Sequence, residues 1–485
     1  SAPNTWVNTV PAGTQLSSGE AGTWYREFNY WWFNLMHKEG LNMREKMVLF
    51  WHDHFANERD KVQYPQNMYA QNALFRKYAF GNFKQLVKEI CIDPAMLIYL
   101  DGNNSRGSNA NENYARELLE LFTMGIGNYS ENDIKQAAKV LSGWQVSGLK
   151  ANFVSTRWYT DASVTILGKT AKFDVNSLVD HIFDQKVTAE FICRKLYKEF
   201  IYYKPNEAFV LQMASVLRAN NYEIKPVLKF MFSSDEFFKA SYQGSKIKSP
   251  VELLIGANKL LELPSPDYVN MYELTRILQM QLFQPPDVAG WPGQREWISS
   301  TTYSYRGGYT DSLLSGKRYN GVNVTGKLVP VAYAQTFMNS EKAVEFVDDV
   351  LALFLQFPVT AKKKAFLLET FAFGYNKNTK RLTINGRDPS RTTSTGLTVG
   401  GKDVGVRAFI AIPDENLYSD ELFVRYVLAE AKINIGRLLG TFVYQLPGGV
   451  TINAAAIQGI GQAEKTEVME MIKSENTPSY FLQWN

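Results

Sequence analysis

Met43-Arg-Glu-Lys-Met-Val-Leu-Phe-Trp-His-Asp-His-Phe55 is the stretch on which the reading of the fold turns. Within it Met43, Met47, Phe50, Trp51 and His54 recur at i, i+4, i+7, i+8 and i+11, the spacing of one apolar face on an α-helix. Helical spacing extends around it, from Trp24 to about Tyr129, with a second amphipathic segment from Asn113 to Met124. Ser130 followed by Asp133 reads as a helix start leading to Leu141, and Gly143 ends that helix. Between Lys150 and Asp174 the β-branched and aromatic residues Phe153, Val154, Trp158, Val164 and Ile166 alternate with small polar breaks, which predicts a short β-rich excursion. Helical patterning resumes near Ser177 and continues through Phe191–Phe200, Glu207–Ala219, Ile224–Phe232, Pro250–Leu261 and Tyr272–Gln281. Two adjacent prolines, two glycines and two tryptophans make 283–305 an irregular loop, since Pro-Pro forbids helix while the aromatics need burial. Beyond Gly321, Glu341–Gln356 and Thr360–Ala372 are helical, whereas Asn376–Gly405 is rich in Thr, Ser and Gly and reads as an exposed, flexible insertion. The expected fold is mainly α, a multi-helix array with one short β-rich excursion and one Trp/Pro/Gly loop.

With 485 residues, 45% hydrophobic and 14% aromatic, the chain can bury a large core. Its 52 Lys and Arg against 48 Asp and Glu give a formal charge of +4, spread along the chain rather than gathered into the tracts that nucleic acid demands. Nucleic acid is therefore not an expected partner. No apolar run approaches the roughly 20 residues of a membrane span, and Ser1 to Gly13 lacks the charged head and apolar stretch of a signal peptide. Cys91 and Cys193 exclude a disulfide framework and a thiolate metal cluster; both lie in apolar settings suited to buried thiols, with one disulfide left open.

Three constellations invite a chemical reading. His52 and His54 are residue types that ligate zinc, iron or copper, but positions two apart on a helix point about 200° from each other, so the pair cannot chelate one ion. His54 instead has two readings: a buried imidazole bonded to a neighbouring helix, or a transition-metal ligand joined by Glu117 and Glu120 from the 113–124 helix. On that helix Asn113, Arg116, Glu117 and Glu120 form a polar stripe that is either solvent-facing or an inward network. Asp101, Asn103, Ser105, Asn109 and Glu112 fall at positions 1, 3, 5, 9 and 12 of a loop, the spacing that surrounds calcium in an EF-hand. Arg106 stands where that loop needs glycine, so the alternative is a polar turn whose Asn111 caps the next helix. Trp291 and Trp297 with Arg295 suit either a sugar-stacking platform or the pinning of an irregular loop onto the core. Gly-rich phosphate loops, Gly-x-Ser-x-Gly elbows, His-Glu-x-x-His pairs and Cys-x-x-Cys motifs do not occur.

Several separated blocks, in order, resemble the bacterial family known as domain of unknown function 1800. They are Arg44–Phe55, Tyr99-Leu-Asp101, Asn111–Gly125, Tyr129–Trp144, Lys248-Ser-Pro-Val-Glu252, and Gln284–Gly293 with Trp297. The resemblance extends from about Trp24 to Arg306, which divides the chain into an extension (1–23), a helical core (24–306) and a C-terminal helical region (307–485). One departure stands out: Thr160, Asp161 and Val164 precede Ile166-Leu-Gly168 where the family tends to carry a His-Asp pair and a lysine. The resemblance implies an address outside the cytoplasm, whether secreted, periplasmic or on the outer cell surface, and supplies no catalytic assignment. The expected role is a surface binding or accessory scaffold acting with another envelope protein or a surface carbohydrate. The alternative is a metal-assisted hydrolase around His54, Glu117 and Glu120.

Overall fold

The computed structural model describes residue 7, residues 16–40, 42–159, 162–317, 324–340, 342–376 and 381–384, and parts of 425–474. The chain falls into two compact units, Ser1–Arg391 and Thr392–Asn485. The first is a mostly helical array. It begins with α1 (Ser18–Lys38), α2 (Arg44–His54), α3 (Pro65–Lys77), α4 (Phe83–Ile90), α5 (Pro94–Tyr99), α6 (Glu112–Glu117) and α7 (Glu131–Val140). Two hairpins follow, β1 (Trp144–Ser147) with β2 (Lys150–Phe153) and β3 (Val164–Ile166) with β4 (Lys169–Ala171), each antiparallel. Then come α8 (Val175–Asp184), α9 (Lys186–Phe200), α10 (Glu207–Ala219), α11 (Ile224–Phe232), α12 (Pro250–Leu260), α13 (Tyr268–Ile277) and α14 (Ser300–Ser315). The unit continues through α15 (Pro330–Ala334), α16 (Ala343–Phe354), α17 (Ala361–Ala372) and the hairpin β5 (Phe373–Asn376) with β6 (Arg381–Ile384).

Local chemistry explains where these elements begin. Ser130 accepts from the Asp133 amide at 3.2 Å while Asp133 takes the Ser130 amide at 2.8 Å, the reciprocal cap expected from the sequence. Asn82, Asp93, Asn206 and Asp267 likewise cap α4, α5, α10 and α13, each donor so satisfied being worth about 1 kcal/mol. The β-rich excursion starts earlier than expected, at Trp144, and is two hairpins rather than one. The second turns through Leu167 and Gly168, both at positive φ, which matches the right-handed twist of its strands. Its strained Leu167 is held by an amide bond to Asp133 Oδ1 at 2.7 Å. Thr160 and Asp161 lie outside the described residues, and so does most of 376–405, although Asn376 and Arg381–Ile384 belong to the β5–β6 hairpin.

Two further expectations are corrected. The irregular loop ends sooner than 305, because Ser299 and Thr302 form a cap that starts α14 at Ser300. A boundary at 306 would cut through α14, and the first compact unit extends well past it.

The centre of the first unit is aromatic. Trp32, Trp51, Phe28, Phe55, Phe75, Phe83 and Phe122 are fully buried, and each such side chain contributes about 1.5–3 kcal/mol through lost water contact. Trp51 stacks on Phe83 with centroids 5.4 Å apart, and Phe28 stacks on Phe283 at 4.2 Å. Buried Glu45 is paired by Arg76, which gives two bonds of 2.7 Å, and takes the Trp32 indole N–H at 2.7 Å. Cys91 and Cys193 are free and buried. Burial pushes the Cys91 thiol up to about 12.

In the second unit β7 (Gln445–Leu446) pairs with β8 (Val450–Thr451), and α18 (Ala454–Ser474) brings Gly461 close to the backbone of Ala429 and Ile433. Lys432 and Glu464 pair there at 2.6 Å.

Candidate functional site

Three consecutive residues at the end of α2 point in three directions, as a 100° step requires. His52 Nε2 accepts the Phe283 amide at 3.1 Å, so its proton sits on Nδ1, and burial holds its pKa down at about 3. His54 Nε2–H donates to the Phe122 carbonyl at 3.1 Å, while its Nδ1 accepts from the Lys195 ammonium at 3.0 Å. Burial, reinforced by the Lys195 charge, holds this imidazole well below its usual range. The carbonyls are presented by an unusual segment: α6 passes into a π-helical turn over Leu118–Met124, closed by Gly125 at φ +83°. Lys195 also donates to the Leu121 carbonyl at 3.4 Å. Its burial, partly offset by Asp53, brings its pKa down to about 8.

Asp53 faces the other way, onto a small cavity of about 60 Å³. Lys46, Leu49, Phe50 and Asp53 recur at i, i+3, i+4 and i+7 along α2 and form one wall. Glu199 from the end of α9, Lys246, and Ser249 and Glu252 from the start of α12 form a second. Trp291, Gln294 and Trp297 from the 283–299 loop close it. The polar groups are ordered by one another. Lys46 bridges Glu199 and Glu252, and Lys246 bonds the same two carboxylates at 2.8 and 3.1 Å. Burial opposes charge on Lys46 and Glu252, yet their attraction outweighs it, raising the lysine pKa and lowering the glutamate's. Glu252 is fixed further by the Ser249 amide at 2.8 Å, which makes it both the cap of α12 and a wall of the cavity.

Asp53 has a different environment. Its Oδ1 accepts the Trp291 amide at 2.7 Å, and among the described residues none donates to Oδ2. Burial raises its pKa to about 6, with the Trp291 bond pulling back down. The contact depends on Gly290, at φ +87°: a Cβ there would lie 2.5 Å from both the Asp53 carbonyl oxygen and Oδ1. The loop is also pinned by the Phe283 carbonyl, which accepts the Arg59 amide at 2.8 Å, and by Gln294 donating to the Lys198 carbonyl at 3.3 Å.

The residues singled out in the sequence are distributed otherwise than the metal readings require. His54 does meet the 113–124 segment, but through the Phe122 carbonyl, and neither Glu117 nor Glu120 is among its partners. Glu120 accepts from the Tyr129 hydroxyl. Arg116 is spent on Glu131 at 2.7 Å on the surface, so that part of the stripe faces solvent. In the 101–112 loop, Asp101 pairs with Lys61 at 2.7 Å and Ser105 Oγ accepts the Asn111 amide at 3.0 Å. Asn111 caps α6 by accepting the Asn113 amide at 2.9 Å, Asn103 gives its carbonyl to Arg157 at 3.4 Å, and Glu112 is exposed in the first helical turn. Among the described residues no group of three or more His, Cys, Asp and Glu side chains is arranged to hold a metal ion. Trp291 and Trp297 are each only 6% exposed, and Arg295 lies over the Tyr203 ring, 5.5 Å from its centroid. The tryptophans therefore line the cavity but offer no open platform.

Sequence reasoning overlooked Lys46, Asp53 and Glu252 although all three stand in the blocks quoted above. The available signal was a lysine and an aspartate seven apart in one helix, which places them on one face. Glu199 and Lys246 carried no such signal. The blocks Arg44–Phe55, Lys248–Glu252 and Gln284–Trp297, far apart in sequence, meet at this one cavity. No curated protein and no solved structure matches the chain. A family model described as protein of unknown function (DUF1800) matches residues 5–412, and the chain belongs to that family.

Proposed function

We propose that the chain is a binding or accessory protein of the cell envelope, working outside the cytoplasm, whose recognition site is the cavity between α2, α12 and the tryptophan loop. The observation that carries this reading is the meeting of three distant blocks around one half-open cavity lined by charged and aromatic side chains. Packing alone would favour apolar side chains there, since these half-buried charges lose part of their hydration, which is costly even when they are paired. The pairing of Lys46 and Lys246 with Glu199 and Glu252 keeps these groups in fixed positions, which is what recognition of a ligand or partner needs. The address outside the cytoplasm rests on the family resemblance. A metal-assisted hydrolase around His54, Glu117 and Glu120 has less support, because both ring nitrogens of His54 are already engaged.

Fractionation of the cells that make the protein tests the address, and retention of purified protein on the isolated envelope tests the site. The expected result is recovery with the envelope and weaker retention of Asp53→Asn than of the unaltered chain. Recovery in the cytoplasm overturns the address. Equal retention of the two proteins overturns the assignment of the cavity.

A further inference from the structure

We infer that the cavity takes the hydroxyl-bearing edge of a neutral sugar unit. This rests on the preceding reading of the cavity as a recognition site, and adds the chemical class of what enters it.

Charge is the first consideration. Two ammonium groups face two carboxylates across bonds of 2.8 to 3.1 Å where Lys246 makes them, and Lys46 contacts the same oxygens. An incoming ion would find these four charges already compensated, with the Asp53 carboxyl offset by the Lys195 ammonium, and would have to break a half-buried pair to gain one of its own. A neutral ligand meets no such obstacle. Carboxylates keep lone pairs and ammonium groups keep protons beyond those used in pairing, so the same wall can both accept from and donate to hydroxyl groups.

The second consideration is Asp53. Its Oδ1 is occupied by the Trp291 amide, while Oδ2 is an acceptor with no donor among the described residues, on a half-buried side chain that lines the cavity. Oδ2 is not among the buried atoms that lack a partner, so in the free protein it faces water, and a ligand hydroxyl donating to it would take that water's place. Ser249 and Gln294 add a hydroxyl and an amide to the same lining. The third consideration is shape. The cavity has room for about four waters, and Trp291 and Trp297 border it. Room for a few oxygens beside aromatic carbon suits one edge of a sugar ring, with the rest of the molecule outside. A sugar hydroxyl both donates and accepts, so it can satisfy Asp53 and the lysines in turn.

The test uses the full chain and a panel of methyl glycosides of the common hexoses and pentoses and of N-acetylhexosamines, with glycine and inorganic phosphate as charged probes. Saturation-transfer NMR and tryptophan fluorescence report binding. The expected result is binding of at least one neutral glycoside, with an affinity that changes less than about twofold between low and high salt, because no net charge is recognised. Asp53→Asn should weaken it by roughly 3- to 10-fold, since a hydroxyl can turn to accept from the new amide. An ammonium ligand has no acceptor to offer and would lose binding altogether. Gln294→Ala, at a partly exposed position, supplies a second variant with an expected loss of about 2- to 5-fold. Thermal melting confirms that both variants fold. Binding of glycine or phosphate but of no glycoside, changed in either direction by Asp53→Asn, overturns the sugar class and leaves the cavity as the recognition site. Failure of every probe, together with envelope retention unaffected by Asp53→Asn, overturns both.

Discussion

His54 and Asp53 are neighbours on one helix, and the structure treats them in opposite ways. On the His54 side every polar atom is consumed: one ring nitrogen gives its proton to a carbonyl, the other takes one from Lys195, and Phe122 and Phe55 close around the ring. On the Asp53 side one carboxylate oxygen is fixed and the other opens on a cavity walled by paired charges. Histidine drew the chemical reading because of its general talents. Yet what makes a group available is direction and unspent bonding capacity, and a 100° rotation along α2 separates a structural residue from a candidate recognition residue.

The comparison can be broken at several points. The largest effect is expected at the joint between α2 and the tryptophan loop. Gly290→Ala places a Cβ against Asp53 at a positive φ, and should lower unfolding free energy by about 3 to 4 kcal/mol in urea titration. A loss below 1 kcal/mol would mean that the loop is not held against Asp53 as described. Next is the His54 side: His54→Ala removes the partner of a buried ammonium and of the Phe122 carbonyl. A loss of about 1 to 3 kcal/mol is expected, with no change in metal content by mass spectrometry. Release of a stoichiometric ion on this substitution would restore the metal reading.

Asp53 should respond to pH. Its folded pKa, raised to about 6, means that the native state holds a proton that the unfolded chain has released between about pH 4 and 6, so its contribution to stability falls as pH rises through that window. Asp53→Asn should remove about 1 to 2 kcal/mol of that slope, at about 1.4 kcal/mol per pKa unit and allowing for the solvent-facing part of the carboxyl. Lys195 is lowered to about 8, and its contribution runs the other way: stability rises with pH between about 8 and 10, where the native amine is neutral before the unfolded one. Stability curves of Asp53→Asn that parallel those of the unaltered chain from pH 4 to 6 would remove Asp53 from this role. The smallest effect is expected at Arg116. Its pair with Glu131 lies on the surface, and Arg116→Ala should change stability by less than about 0.5 kcal/mol. A larger loss would show that the polar stripe belongs to the interior after all.

Much of the helical frame was legible, and for local reasons. The 3.6-residue recurrence around Met47 and Trp51, the Ser130–Asp133 cap and the breaking power of Pro285-Pro286 act within a few residues of one another. Where the reading slipped, a local signal had been misjudged, as at Ser300, where the Ser299–Thr302 cap starts a helix inside a stretch taken for loop.

The cavity was another matter. The sequence alone determined that α2 carries a lysine and an aspartate on one face, that α12 starts with a Ser-Pro-x-Glu cap and that a Gly-Trp-Pro-Gly turn follows two prolines. Only the tertiary structure decided that these three meet, that Glu199 and Lys246 complete the ion pairs, and that Asp53 keeps a polar atom open to the cavity while both ring nitrogens of His54 are engaged. The physical reason is range. Helix periodicity and capping depend on neighbours one or two turns away, whereas the state of a side chain depends on which groups distant segments bring to it. Lys46 meets Glu252 across 206 positions of sequence, and no spacing rule reaches that far.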